Sequence, residues 1–151
     1  MWQRKLKILI IEPHDEHRFL AKQCLLRAAP EIEVEICESG DQAMQKLVHD
    51  TVWPDIILLD IDLPDRSGLT FIQQVKQTFP NKLTPILLLT DGMDEALLRE
   101  AYRAGAAGYI EKPMNVPRNL QKLQNYLDML QIPLTVWPYS HIPPVQEGML
   151  V

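Results

Sequence analysis

The sequence predicts an α/β domain built on a five-stranded parallel sheet with five helices, and three observations carry that expectation. Five short apolar runs recur along the chain: LKILII (6–11), IEVEIC (32–37), DIILLD (55–60), PILLLT (85–90) and GYIEK (108–112). Between them stand apolar residues at helical spacing, so strand and helix alternate as they do in parallel sheets covered on both faces. The runs also differ in kind. Residues 8–11, 56–59 and 86–89 are apolar throughout, as strands buried on both faces are, whereas Ile32, Glu33, Val34, Glu35 and Ile36 alternate and suit a border.

An edge position for the second strand, together with right-handed crossovers, gives the order 2-1-3-4-5, the flavodoxin-like doubly wound arrangement. In that arrangement ligands bind outside the carboxyl ends of the strands, where the order reverses between strands 1 and 3.

The elements follow in order. Basic residues precede the first strand as they do in a signal peptide, but the apolar run is interrupted by Lys7 and stopped by Glu12, so it reads as a strand. Leu20, Cys24 and Ala28 mark the first helix and Ala43, Met44, Leu47 and Val48 the second. Leu69, Ile72, Val75 and Phe79 mark the third, and Leu97, Ala101 and Ala104 the fourth. The last helix runs from about Pro117 to Gln131, with proline at its start. Its Leu120, Leu123, Leu127 and Leu130 read as a stripe packed on the sheet in preference to a dimer seam. Pro133, Pro138, Pro143 and Pro144 exclude regular structure beyond it, so the domain spans 1–131 and residues 132–151 form a Pro-containing tail or linker. Trp137 and Tyr139 give that tail a means of lying back on the domain.

Composition sets bounds on function. A chain of 151 residues that is 46% hydrophobic is long enough to bury one core, and one domain is expected. A formal charge of -5 argues against direct nucleic-acid binding, which needs clustered Lys and Arg. No run approaches the roughly 18 apolar residues of a membrane span. Cys24 and Cys37 show no metal-ligand spacing and read as reduced core thiols, in keeping with a cytoplasmic protein.

Under this fold Glu12, Asp60, Thr90 and Lys112 converge on one rim, each at the end of a different strand. Their chemistry suggests phosphoryl transfer onto a carboxylate. Asp60 would be the nucleophile, already ionised at neutral pH and needing no activating base. Mg²⁺, which takes one or two carboxylates with waters and phosphate oxygens, would hold the donor. Thr90 would donate a hydrogen bond to the transferred group and Lys112 would pair with it as a point charge.

The blocks LLDIDLPDRSG, ILLLTDG and GYIEKP resemble, in order and spacing, those of the receiver domain of bacterial two-component response regulators, of which the chemotaxis regulators are stand-alone examples; the likeness covers about residues 5–131. The resemblance implies that Asp60 accepts a phosphoryl group from a histidine kinase or phosphotransfer protein. It implies that Glu12, Asp60 and the backbone carbonyl of Asp62 hold Mg²⁺, and that Thr90 and Tyr109 form a switch pair. That pair would alter the face made by helix 4, strand 5 and helix 5, which would serve a downstream protein or a homodimer. The first helix, with His17, Arg18 and Phe19, and the Lys112 to Pro117 loop would dock the kinase, although core packing is the expected use of the Phe19 side chain. No enzymatic activity is implied beyond self-catalysed phosphorylation and dephosphorylation of the aspartate, and neither a nucleic acid nor a membrane is an expected partner.

Three features depart from the pattern. Receivers carry two adjacent acids after strand 1, but here Glu12 is followed by Pro13 and His14, so Mg²⁺ binding should be weak unless Asp62, or less readily Asp15, replaces the missing ligand. Asp91 stands where a small residue is usual; a carboxylate at about 6 Å from a phosphoryl group would be repelled by roughly 3 kcal/mol per unit charge at an effective dielectric of about 20, unless it turned outward. Finally, EPHDEH (12–17) sets His14 and His17 one helical turn apart among acids. That spacing permits a transition-metal site, but a solvated acidic helix start is the preferred reading. Two function classes follow: a phosphorylation-dependent signalling switch, and a pseudo-receiver that binds a protein partner independently of phosphorylation.

Overall fold

Each of the five apolar runs becomes a strand in the computed structural model, which describes residues 5–92 and 94–131. The strands are β1 (Lys7–Ile11), β2 (Glu33–Cys37), β3 (Ile56–Asp60), β4 (Ile86–Thr90) and β5 (Gly108–Glu111). They alternate with α1 (Asp15–Ala28), α2 (Gly40–His49), α3 (Gly68–Thr78), α4 (Glu95–Ala104) and α5 (Pro117–Gln131). All pairings are parallel and the order is β2-β1-β3-β4-β5, as the edge character of Glu33 to Ile36 predicts. The tail expected at 132–151, including Trp137 and Tyr139, lies outside the described residues.

Period-two side-chain alternation divides the core into two layers. Leu9, Ile11, Ile57, Leu59, Ile86 and Leu88 face α2, α3 and α4, meeting Leu47, Phe71, Ile72 and Val75. Ile8, Ile10, Ile56, Leu58, Leu87 and Leu89 point the other way, against Ala21, Cys24 and Leu25 of α1 and Leu123 and Leu127 of α5. A strand apolar at every position is therefore a consequence of helices on both faces. Leu120 also packs on the second layer, so three leucines of the α5 stripe serve the sheet; the Leu130 side chain lies outside the described residues.

Two expectations need correction. Phe19 is 65% exposed, because the buried side of α1 is set by Ala21, Cys24 and Leu25 and Phe19 lies about 200° of helical rotation from Ala21. Val48 is likewise exposed, one residue past the buried Leu47. Both cysteines are buried and unpaired, as expected, and burial pushes the Cys37 thiol up to about 11. Among the described residues no helix is long and apolar enough to cross a membrane.

The helix starts show where local sequence and fold agree. Ser39, Ser67 and Asp94 cap α2, α3 and α4 by accepting from Gln42, Thr70 and Leu97 N–H groups. Gly105 closes α4 at φ +116°, a conformation that favours glycine. At α1 the N-cap residue is His14, which makes no capping hydrogen bond; its ring is turned to Glu12 instead.

Candidate functional site

Sheet pairing continues one residue beyond the strands and fixes the rim. Glu12, directly after β1, donates its N–H to the Cys37 carbonyl, and Lys112, directly after β5, donates to the Thr90 carbonyl. Asp60 and Thr90 are themselves the last residues of β3 and β4. Glu12, Asp60 and Thr90 are all buried at the carboxyl ends of the three inner strands and Lys112 follows the edge strand β5, so the four groups read from the sequence stand on one rim as expected.

Three of them are in direct contact. The Lys112 ammonium donates to Asp60 Oδ2 at 2.9 Å and lies 2.8 Å from Glu12 Oε1, close enough for an ion pair but off the line of a well-formed hydrogen bond. The other Asp60 oxygen, Oδ1, accepts from the Asp62 N–H at 2.8 Å. Glu12 Oε2 accepts from the His14 N–H at 3.1 Å and lies 3.0 Å from His14 Nδ1, while His17 Nδ1 lies 3.0 Å from Lys112 Nζ. Arg18 donates to the carbonyls of Glu12 and Pro13 and so holds the turn that carries His14. The Lys112–Pro113 bond is cis, and the buried Asn119 carboxamide donates to the carbonyls of Glu111 and Pro113 on either side of Lys112.

The electrostatics follow from two carboxyl groups sharing one buried pocket. Burial, then the facing Glu12, push Asp60 above the usual carboxylate range, and the Asp62 N–H and Lys112 only partly offset this. Burial would raise Glu12 too, but its neighbours, Asp60 first and then the Lys112 ammonium and His14, hold it below its usual value. Lys112 is pulled down by burial and raised more strongly by Glu12 and Asp60, so it keeps its charge. With both carboxylates ionised, one ammonium leaves the pocket one negative charge in excess. These hard oxygen donors and that excess charge suit a divalent cation.

The loop after Asp60 is bolted down by a residue that sequence reasoning passed over. Asp65 Oδ1 and Oδ2 accept from the backbone N–H groups of Gly40 and Asp41, each at 2.9 Å, at the start of α2. Arg66 crosses the same junction to Asp41 and to Gln74 of α3. Gly68 then lets the loop return: it donates to the Ile61 carbonyl at 2.7 Å, and a Cβ there would stand 2.9 Å from the Ile61 Cα and 3.0 Å from the Asp60 carbonyl oxygen. The Pro64 to Gly68 composition signals a turn, but nothing in it signals a partner on α2. Asn119 was equally invisible, since its partners are backbone carbonyls.

The remaining expected residues lie around this centre. The Thr90 hydroxyl donates to the Gly92 carbonyl at 2.8 Å and lines a cleft with Asp62, Ser67 and Asp91. Asp91 is exposed and borders that cleft and a neighbouring one beside Glu12, His17 and Lys112. Tyr109 is half-buried beneath the Lys122 ammonium, 4.1 Å from the ring centroid. Neither suggested replacement for the missing acid joins the Glu12–Asp60 pair. The Asp62 side chain is exposed, and the Asp15 carboxylate is 90% exposed and bound to Arg18. What gathers with Glu12 and Asp60, all within 4.8 Å, is His14 and His17.

A doubly wound sheet whose strands lead at one rim into paired acids, a threonine and a lysine defines a receiver-type signalling domain. The chain belongs to the response regulator receiver domain family, which it matches over residues 8–124. It is 27% identical over 122 residues to the chemotaxis protein CheY of Bacillus subtilis, covering 81% of this chain and 98% of that one. It is 34% identical over 110 residues to the transcriptional regulatory protein KdpE of Staphylococcus aureus, covering 73% of this chain but only 45% of the relative. Among solved structures, the chemotaxis response regulator CheY4 of Vibrio cholerae superposes with a TM-score of 0.70 at 28% identity, over 84% of this chain and 99% of that one. Receiver domains act in two-component signalling as phosphorylation-dependent switches and bind Mg²⁺ at an acidic pocket; they engage histidine kinases or phosphotransfer proteins and downstream targets.

Proposed function

We propose that this chain is a phosphorylation-operated switch whose phosphoacceptor is Asp60. The observation that carries the reading is the environment of that carboxylate: buried at a rigid strand end, with Asp62 N–H on one oxygen and Lys112 on the other. A histidine kinase or phosphotransfer protein supplies the phosphoryl group. The bond from phosphorus to the donor's leaving atom breaks as the bond to an Asp60 oxygen forms, and the leaving pair of electrons departs with the donor. Lys112 then pairs with the phosphoryl oxygens, and the Thr90 hydroxyl exchanges its Gly92 partner for the new anion. Glu12, Asp60 and the Asp62 carbonyl are the residues that would hold Mg²⁺, which when bound neutralises charge on the transferred group. Movement of Thr90 draws Tyr109 inward and reshapes the α4–β5–α5 face, where a downstream protein or a second copy binds.

A specific observation favours a second reading, a pseudo-receiver that binds its partner without phosphorylation. Pro13 offers no carboxylate and Asp91 borders both clefts at the site. One titration separates the two. Beryllofluoride with Mg²⁺, which mimics an acyl phosphate, is added to the chain and followed by amide NMR, with Asp60→Asn as control. The switch predicts saturable shifts near Asp60 that reach Thr90 and Tyr109 and vanish in the control. A spectrum unchanged at millimolar Mg²⁺ would leave the pseudo-receiver.

A further inference from the structure

The pocket holds two imidazoles that the phosphoryl chemistry does not use. Ligand atoms of Glu12, His14, His17 and Asp60 lie within 4.8 Å of one another, and three separations are shorter: 3.0 Å from His14 Nδ1 to Glu12 Oε2, 3.8 Å from His14 Nδ1 to Asp60 Oδ2, and 3.7 Å from His17 Nδ1 to Glu12 Oε1. A tetrahedral ion with bonds of about 2.0–2.1 Å places its ligand atoms roughly 3.3 Å apart, in the middle of those distances. Two of these separations use different oxygens of Glu12 and the group as a whole spans up to 4.8 Å, so the four donors form a loose cluster that must draw in around an ion.

The donor types decide which ion suits it. Mg²⁺ takes oxygen ligands in octahedral geometry and has little use for imidazole, whereas two nitrogens and two carboxylate oxygens match zinc and its neighbours. We infer that Glu12, His14, His17 and Asp60 form a binding site for a divalent transition ion of the zinc class. His14 and His17 take the place of the acid that Pro13 cannot provide.

Three features support the assignment. The Lys112 ammonium stands among Asp60, Glu12 and His17, so this position already holds a cation, which a bound metal ion would displace. Because that ammonium donates to His17 Nδ1, the nitrogen's lone pair points into the pocket, as a ligand's does. Arg18 fixes the turn that carries His14, and the His14 ring forgoes any capping of α1 to meet Glu12. His14 would bind through Nδ1 as the tautomer whose single proton sits on Nε2, the proton that faces Glu12 before the ion binds having moved there. The side chains of His14 and His17 are 61% and 38% exposed, so the ion enters from solvent onto two buried carboxylates. Cys24 and Cys37 are buried in the two core layers and are not among the gathered donors.

The ion binds the pocket in which Asp60 is unmodified, and the test keeps that question apart from phosphoryl transfer. Zn²⁺ is titrated calorimetrically into the metal-stripped full chain, and the imidazole resonances are followed by NMR. One ion per chain should bind, with shifts at His14 and His17. His14→Ala and His17→Ala should each weaken binding by more than about tenfold, the lower bound for disturbing even the outer partners of a metal. His49→Ala, at the far end of α2, should change nothing. Both substituted rings are solvent-exposed, so the variants should fold. Zn²⁺ affinity unchanged in the two variants, or no Zn²⁺ binding by the parent, overturns the inference while leaving the beryllofluoride result to judge the switch.

Discussion

Asp65 shows how much one side chain does at this site. It satisfies two of the unpaired N–H groups at the start of α2, while Ser39 takes a third, and so ties the loop after Asp60 to a neighbouring helix. Asp65→Ala should destabilise the domain by about 1 kcal/mol, the usual cost of a lost cap, as measured by urea denaturation at pH 7. The effect should depend on pH. Burial would raise the Asp65 carboxyl, but the Gly40 and Asp41 N–H groups and Arg66 hold it below its ordinary value. A depressed pKa means that the stabilisation is complete above the unfolded value of about 3.9 and disappears as pH falls through the folded one, so the gap between parent and variant should shrink as the pH is taken below that value. Residues of this kind were not legible in the sequence. Asp60, Thr90 and Lys112 were legible because each ends an apolar run, whereas Asp65 and Asn119 act on backbone groups that only folding brings near them.

At the scale of the element, β3 and the loop behind it form one mechanical unit. The strand is buried at all five positions, and its loop returns so closely that Gly68 touches the backbone it left. Gly68→Ala places a methyl group against main chain, which cannot give way as a side-chain tip can. The expected cost is about 1–3 kcal/mol, with a weakened beryllofluoride response in the NMR titration because Asp62 N–H and Asp60 Oδ1 are displaced together. Stability lost with the response intact would show that the loop's closeness serves packing alone. The α1 start makes the opposite point. An uncapped helix beginning at a histidine is a local disagreement between sequence and fold, and such disagreements gather at sites with another use for the side chain.

Across the whole molecule, two apolar layers share one sheet, so a cavity in a central strand is felt on a face packed by α1 and α5 and through them at the rim. Leu58, fully buried between β1 and β4, should cost about 2–5 kcal/mol when changed to Ala, read from the midpoint of thermal or urea unfolding. Val48→Ala, by contrast, should cost little because that side chain is exposed. By itself the sequence determined the α/β class, the number and order of strands, the edge position of β2 and the residues at the strand ends. Those properties rest on periodicity and run length, which are local and survive in one dimension. Tertiary structure alone decided which way Phe19 faces, that Asp65 grips α2, and that Asp62 and Asp15 stay clear of the Glu12–Asp60 pair while His14 and His17 join it. Contacts between groups distant along the chain leave no periodic trace, and the ion a pocket prefers is set by which donors those contacts bring within a few ångströms of one another.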